Sequence, residues 1–130
     1  MPGGKIMVID DDPGLLGFTC QYLSRLGYPV VAYRSSDEAW GQFNTPASNW
    51  ALAVIDASLP GLSGVQLSRM MLSADPAVRV VLTSGYPLDS QKLLASHPDR
   101  MAFLHKPFTA LMLAETVDRL IGAGPAAHAD

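Results

Sequence analysis

The sequence predicts an α/β protein in which five parallel strands form one open sheet with helices on both faces. Short apolar runs alternate along the chain with segments of helical periodicity, which is the pattern of consecutive βαβ units. Most of these runs are continuously apolar instead of alternating, as expected of parallel strands that are covered on both faces. Right-handed crossovers between successive strands then distribute the helices over the two faces.

The predicted strands are the short apolar runs that are rich in β-branched residues and are followed by polar or turn residues. In chain order they are Lys5–Asp10, Val30–Tyr33, Ala51–Asp56, Arg79–Ser84 and Met101–Leu104.

Each predicted helix has a residue that suits its first turn or its N-cap. In chain order these residues are Pro13, Ser35 or Ser36, Ser63, Asp89 or Ser90, and Thr109. Gly27 predicts the end of the first helix, because glycine accepts the left-handed conformation that follows many helices. The third helix is predicted over Val65–Leu72, and the last carries an apolar stripe that includes Leu113 and Val117.

Length and composition predict one globular domain. The chain has 130 residues, of which 48% are hydrophobic and 16% charged, and its formal net charge is −3. The negative charge argues against a basic nucleic-acid surface, and no apolar run reaches the roughly 18 residues of a membrane-spanning helix. Cys20 cannot form an internal disulfide, which fits a reducing compartment. We therefore expect a cytoplasmic protein without a direct nucleic-acid or membrane partner.

We expect the domain to cover residues 5–121. The first four residues and residues 122–130 are rich in small residues, so they are predicted to be a flexible N-terminus and a flexible tail or linker remnant.

Polar side chains collect where four of the predicted strands end, and this edge is where open parallel sheets bind ligands. Asp10 and Asp11 follow the first apolar run, Asp56 the third, Ser84 the fourth, and Lys106 comes just after the fifth. Taken singly, each is ordinary: an aspartate can cap a helix or a loop, and serine and lysine are common in turns. Their shared position at one edge of the sheet favours a common site.

The clustered carboxylates predict a bound cation. Two carboxylates about 4 Å apart repel by roughly 4 kcal/mol at an effective dielectric constant near 20, so the cluster needs protonation or a cation. Mg²⁺ prefers a few carboxylates, water and phosphate oxygens, and an aspartate can itself accept a phosphoryl group. We predict Asp56 as the acceptor, with Lys106 and Ser84 bonded to phosphoryl oxygens. The predicted metal ligands are Asp10, Asp11, Asp56 and the backbone carbonyl of Ser58.

Four segments carry a family resemblance: IMVIDDDP at 6–13, AVIDASLPGLSG at 53–64, VVLTSGYP at 80–87 and FLHKPF at 103–108. They resemble the receiver domain of bacterial two-component response regulators and hybrid histidine kinases, over about Lys5 to Ile121. The resemblance implies a flavodoxin-like doubly wound sheet in the order 2-1-3-4-5 and a Mg²⁺-dependent phosphorelay function. It implies a regulatory domain rather than an enzyme, with self-phosphorylation from phosphodonors and autodephosphorylation as its only chemistry.

The resemblance also assigns roles to single residues. Asp56 would receive its phosphoryl group from a phosphohistidine of a sensor histidine kinase or a histidine phosphotransfer protein. Asp11 would be the more direct Mg²⁺ ligand of the acidic pair, and Asp12 would cap the first helix. Ser84, and not Thr83, matches the switch hydroxyl.

Three further residues are singled out, each for a different expected role. Phe103 matches the aromatic side chain that changes rotamer when the switch hydroxyl moves, and its alternative is an ordinary core residue. Pro107 matches a proline that often follows a cis peptide bond in the family. Tyr86, two residues after Ser84, lies where it can screen an acyl phosphate from water.

Two other interpretations remain open from the residues. A small Mg²⁺-dependent phosphatase of the haloacid dehalogenase type would use Asp10 as its nucleophile, but it leaves Asp56 without a role. A docking module that is never phosphorylated would leave the acidic pair, hydroxyl and lysine unexplained. The downstream partner, a possible homodimer, and whether the receiver is free-standing or part of a larger regulator are not determined by the sequence.

Overall fold

The computed structural model describes residues 4–45, 49–86 and 91–122. It contains one parallel sheet in the order β2-β1-β3-β4-β5. The strands are β1 (Lys5–Ile9), β2 (Val30–Tyr33), β3 (Trp50–Asp56), β4 (Arg79–Ser84) and β5 (Met101–His105). The helices are α1 (Pro13–Arg25), α2 (Ser36–Phe43), α3 (Gly64–Ala74), α4 (Gln91–Ser96) and α5 (Ala110–Ile121). The predicted fold class is confirmed.

Helices cover both faces of the sheet, and each face has its own apolar core. On one face α2, α3 and α4 contribute side chains such as Phe43, Met71 and Leu93. On the other face α1 and α5 contribute side chains such as Leu23 and Val117. Because β1, β3 and β4 are covered on both sides, their residues are buried almost throughout, which explains the continuous apolar runs of the sequence.

Three of the predicted strand boundaries are wrong by one residue. β1 ends at Ile9 instead of Asp10, which has left the strand and bends toward the following loop. β3 begins at Trp50 instead of Ala51, because Trp50 still pairs with Lys5. β5 extends to His105 instead of Leu104, because His105 pairs with Ser84 at the end of β4.

Local side-chain chemistry sets the helix ends. α1 begins after Asp12, whose carboxylate accepts hydrogen bonds from the backbone of Gly14 and Leu15. It ends at Arg25, two residues before the predicted Gly27. Leu26 still has helical backbone angles, and Gly27, with φ 100°, closes the Schellman pair of hydrogen bonds.

The third helix is longer than predicted, over Gly64–Ala74 instead of Val65–Leu72. Its start is fixed one residue earlier because Ser63 and Gln66 form a reciprocal capping box. It ends at Ala74 because Asp75 is extended, as expected of a residue before a proline. Ser35 and Thr109 cap α2 and α5 as predicted.

Several sequence predictions fall partly outside the described residues. The predicted start of the fourth helix at Asp89 or Ser90 lies there, and so does most of both predicted flexible ends. Of those ends the structure describes Gly4, which is buried, and Gly122, which is exposed.

Arg100, just before β5, ties several loops together at the amino-terminal edge of the sheet. Its Nε donates to the carbonyl of Val78 at 3.1 Å, and Nη2 donates to the carbonyls of Leu72 at 3.1 Å and of Asp75. Leu72 lies in the last turn of α3, where carbonyls lack helical partners. Arg100 therefore completes the end of α3 and holds it to β5.

None of the helices in the described parts of the chain combines the length and the apolar character needed to cross a bilayer.

Candidate functional site

Three carboxylates meet at the carboxyl edge of the sheet. Asp10 and Asp11 follow β1 and Asp56 ends β3, and the pairing of Ile9 with Ile55 brings these strand ends level. One oxygen of each carboxylate lies within 4.8 Å of the other two. Asp10 and Asp56 are each only 5% exposed, whereas Asp11 is exposed to solvent. The acidic pair and the acceptor predicted from the sequence are thus brought together.

Lys106, which follows β5, lies between two of these carboxylates. Its Nζ is 3.2 Å from Oδ2 of Asp10 and 3.3 Å from Oδ1 of Asp56. Its backbone is fixed as well, because its N–H donates to the carbonyl of Ser84 at 2.8 Å. The peptide bond between Lys106 and Pro107 is cis, as the resemblance implied. Lys106 therefore supplies one positive charge to this carboxylate cluster.

Backbone N–H groups orient the two buried carboxylates. The N–H of Asp12 donates to Oδ1 of Asp10 at 2.9 Å, and the N–H of Ser58 donates to Oδ1 of Asp56 at 3.2 Å. Both bonds span two residues, so each loop folds back on the aspartate that begins it. Ser58, predicted as a metal ligand through its carbonyl, is held beside Asp56 by this contact.

Burial and the neighbouring charges together raise the pKa of two groups of the site, Asp10 and Lys106. Burial raises the pKa of Asp10, and the nearby charge of Asp56 adds to it, against the hydrogen bond from Asp12 and the charge of Lys106. Burial lowers the pKa of Lys106, but the charges of Asp10 and Asp56 and its hydrogen bonds to both outweigh it, so the pKa is raised. The two shifts are consistent with the geometry. The ammonium of Lys106 is stabilised by two carboxylates, which raises its pKa, whereas Asp10 shares that ammonium with Asp56 and is destabilised as an anion by burial.

The carboxylate cluster fits a small divalent cation. Ligands on opposite sides of Mg²⁺ are roughly 4.2 Å apart, close to the 4.8 Å within which the three carboxylate oxygens lie. The ligand atoms are all oxygens, and their combined negative charge exceeds what Lys106 neutralises. Exposed Asp11 leaves one side of the cluster open to water and to a ligand.

Ser84, at the end of β4, is brought to the same edge but its hydroxyl is bonded to its own loop. Its Oγ donates to the carbonyl of Tyr86 at 2.7 Å and accepts from the N–H of Tyr86 at 3.1 Å. The Tyr86 hydroxyl in turn lies 2.6 Å from Oγ of Ser58. Thr83 is buried, with its Oγ1 3.5 Å from the carbonyl of Ile55.

Phe103, the predicted switch aromatic, is half-buried in β5. It packs against the core on the α2–α4 face, and its ring meets that of His105 edge-on at 4.6 Å. Phe103 therefore contacts the surface residue His105 as well as core side chains.

Sequence reasoning missed one residue and one side-chain contact near the site. The first is Gly64, whose N–H donates to the carbonyl of Ala57 at 3.1 Å and which packs directly on the backbone of Asp56. The sequence shows a glycine near the start of α3, but it does not show that this glycine packs on the loop after β3. The second is the contact between Ser58 and Tyr86, which lie 28 residues apart and have no shared motif.

Comparisons with known proteins identify the family. The model of the response regulator receiver domain matches residues 6–118. The chain is 27% identical, over 88% of its length, to the C4-dicarboxylate transport transcriptional regulatory protein DctD of Rhizobium meliloti, of which it spans 25%. The chain therefore belongs to the response regulator receiver domain family, and the receiver function in two-component phosphorelay is confirmed. These relatives give no support to the phosphatase alternative.

Solved structures share the fold. A CheY-like receiver domain protein from Methanospirillum hungatei superimposes with a TM-score of 0.80 at 23% identity, covering 91% of this chain and 93% of that one. The response regulator TrrA of Thermotoga maritima, in complex with Mg²⁺ and BeF, superimposes with a TM-score of 0.77 at 24% identity, covering 91% of this chain and 99% of that one. The strand order 2-1-3-4-5 implied by the resemblance is confirmed.

Proposed function

We propose that this receiver accepts a phosphoryl group on Asp56 and signals through the change that this causes at its surface. The observation that carries the proposal is the position of the Asp56 carboxylate, which is buried at a strand end beside Asp10 and Asp11 and 3.3 Å from the ammonium of Lys106. A carboxylate held there is oriented, shielded from bulk water and next to a fixed positive charge.

The transfer step uses the Asp56 carboxylate as nucleophile. One of its oxygens forms the new bond to phosphorus while the phosphorus–nitrogen bond of a phosphohistidine breaks, and the imidazole leaves with the electron pair. The phosphohistidine belongs to a sensor histidine kinase or a histidine phosphotransfer protein. Lys106 neutralises one phosphoryl oxygen, and the Ser84 hydroxyl donates to another after leaving Tyr86. Phe103 responds to that movement by repacking.

The ligands proposed for Mg²⁺ are Asp10, Asp11, Asp56 and the carbonyl of Ser58. When bound, Mg²⁺ supplies positive charge to the phosphoryl oxygens as negative charge develops on them. The exposed Asp11 is the ligand that reaches solvent, while Asp10 is shared with Lys106.

We further propose that the domain acts on itself alone, through phosphorylation from phosphodonors and slow hydrolysis of its own acyl phosphate, in the cytoplasm.

The test is phosphorylation by acetyl phosphate with Mg²⁺, followed by intact mass. We expect the wild type to gain one phosphoryl group and Asp56→Asn to gain none. Asp37→Asn is the matched control, since Asp37 is exposed in the first turn of α2, and it should behave as wild type. Reduction of the acyl phosphate with borohydride and peptide mapping would locate the group. A phosphoryl group on another residue, or steady release of phosphate without accumulation, would contradict the proposal.

A further inference from the structure

The hydroxyl groups of Ser58 and Tyr86 join the two loops that flank Asp56. Ser58 lies in the loop after β3 and Tyr86 in the loop after β4, and the two oxygens are 2.6 Å apart. The N–H of the same Ser58 donates to Oδ1 of Asp56 at 3.2 Å. Tyr86 is about half exposed. A single residue, Ser58, nevertheless links its hydroxyl to the carboxylate of Asp56.

The backbone of Tyr86 holds the buried hydroxyl of Ser84. That hydroxyl has one proton, and it is donated to the Tyr86 carbonyl at 2.7 Å. The Tyr86 N–H returns a hydrogen bond to the same oxygen at 3.1 Å. Ser84 itself is held on its other side, because its carbonyl accepts from the N–H of Lys106. The hydroxyl can reach a phosphoryl oxygen only if its bond to the Tyr86 carbonyl breaks.

We propose that Tyr86 is a positioning residue that holds the Ser84 hydroxyl away from the phosphoryl site, and that its hydrogen bond to Ser58 anchors it there. The inference rests on the proposed function, in which Ser84 donates to a phosphoryl oxygen on Asp56. The Ser58–Tyr86 bond then stabilises the receiver without its phosphoryl group. A phosphoryl group at Asp56 gains the Ser84 hydroxyl only in competition with the Tyr86 carbonyl, which the Ser58–Tyr86 bond helps to hold in place.

This arrangement has a definite thermodynamic consequence. Suppose that a contact forms only when no phosphoryl group is bound. It then stabilises the unphosphorylated state by some factor, and the apparent affinity for a phosphoryl group falls by the same factor. A single hydrogen bond between exposed hydroxyls is worth about a two- to tenfold change in an equilibrium. Removing the Tyr86 hydroxyl should therefore tighten binding of a phosphoryl analogue by that factor.

The experiment measures the affinity for beryllofluoride in the presence of Mg²⁺ by titration calorimetry. Tyr86→Phe removes the hydroxyl and keeps the ring, and Ser58→Ala removes its partner. Each is expected to bind about two- to tenfold more tightly than wild type. The double variant should bind no more tightly than the stronger single variant, because both changes break the same bond. Tyr22→Phe, in α1 outside the site, is the matched control and should not change the affinity.

A second measurement separates positioning from shielding. The initial rate of phosphorylation by acetyl phosphate should rise in Tyr86→Phe by a similar factor. An unchanged or weaker affinity in Tyr86→Phe would overturn the inference, and so would additive effects in the double variant. A weaker affinity together with a shorter phosphoryl half-life would show that Tyr86 protects the phosphorylated form instead. If wild type binds no beryllofluoride and accepts no phosphoryl group, the proposed function fails and this inference with it.

Discussion

Gly64 at the start of α3 lies against the backbone of Asp56 so closely that a methyl group has no room between them. A Cβ on residue 64 would collide with the carbonyl oxygen of Asp56 and with the backbone of Ala57. The atoms it meets are backbone atoms, which cannot rotate away as the end of a side chain can. Asp56, the proposed acceptor, and the first turn of α3 are thus packed as one unit.

Gly64→Ala should therefore disturb both stability and phosphorylation. We expect the free energy of unfolding to fall by about 1–3 kcal/mol, because the loop after β3 must move to admit the methyl group. The rate of phosphorylation by acetyl phosphate should fall as Asp56 moves with that loop. Gly41→Ala is the matched control: Gly41 lies inside α2 with open space around it, and alanine there should stabilise the helix by about 0.5–1 kcal/mol. Equal effects of the two changes in urea denaturation would contradict this account.

The raised pKa of Asp10 predicts a stability that depends on pH. Burial raises the pKa of Asp10, so its ionised form is less favourable in the folded chain than in the unfolded chain. As pH rises from below the ordinary value of 3.8 through the raised folded value, wild type loses stability relative to Asp10→Asn. The variant should thus be the more stable protein at neutral pH and equal to wild type at about pH 3.

Urea denaturation over this pH range, without divalent cations, measures the difference. Asp37→Asn serves as control because Asp37 is exposed at the start of α2, where its charge favours the helix. It should give no gain at neutral pH. A stability gain in Asp10→Asn that persists unchanged at acidic pH would refute the assignment to ionisation.

Asp11 offers a way to weaken the proposed metal site without unfolding the protein. Its side chain is exposed, and its carboxylate lies within 4.8 Å of those of Asp10 and Asp56. We expect Asp11→Ala to lower the affinity for Mg²⁺ at least tenfold while changing the free energy of unfolding by less than about 0.5 kcal/mol. Calorimetric titration with Mg²⁺ alone would check this. Wild-type affinity in the variant would remove Asp11 from the ligand set.

Arg100 should matter for stability and not for phosphorylation. Arg100→Met keeps the apolar stem but leaves the carbonyls of Leu72 and Val78 without their donor. We expect a loss of about 1–3 kcal/mol in the free energy of unfolding. Arg69→Met, exposed on α3, is the control and should change stability by less than about 0.5 kcal/mol. A large loss of phosphorylation in the folded Arg100 variant would contradict this prediction. It would show that the amino-terminal edge of the sheet affects the carboxyl edge, although the hydrogen bonds of Arg100 do not reach that edge.

The sequence predicted the sheet and the clustered charges because both follow from local patterns. Parallel strands buried on two faces leave continuous apolar runs, and parallel strands of one sheet end at one edge. Asp10, Asp56 and Lys106 could therefore be placed together without any knowledge of distances. The helix caps at Asp12, Ser63 and Thr109 were readable for the same reason, since each acts within four residues.

What the sequence did not reveal depends on contacts between distant loops. The close packing of Gly64 on Asp56 follows from the path of a loop, and a glycine before a helix has many ordinary explanations. The hydrogen bond between Ser58 and Tyr86 links two residues that are each common in turns. The binding of the Ser84 hydroxyl to Tyr86 depends on one side-chain torsion, which no residue pattern encodes.

The ion pair between Asp10 and Lys106 joins residues that are 96 positions apart in the chain. Its formation requires β1 and β5 to be in place, and these two strands are separated in the sheet by β3 and β4. The proposed acceptor, Asp56, therefore has its neighbouring charges in place only when strands from both ends of the domain lie in one sheet, and a partly unfolded chain keeps this aspartate without the assembled site around it.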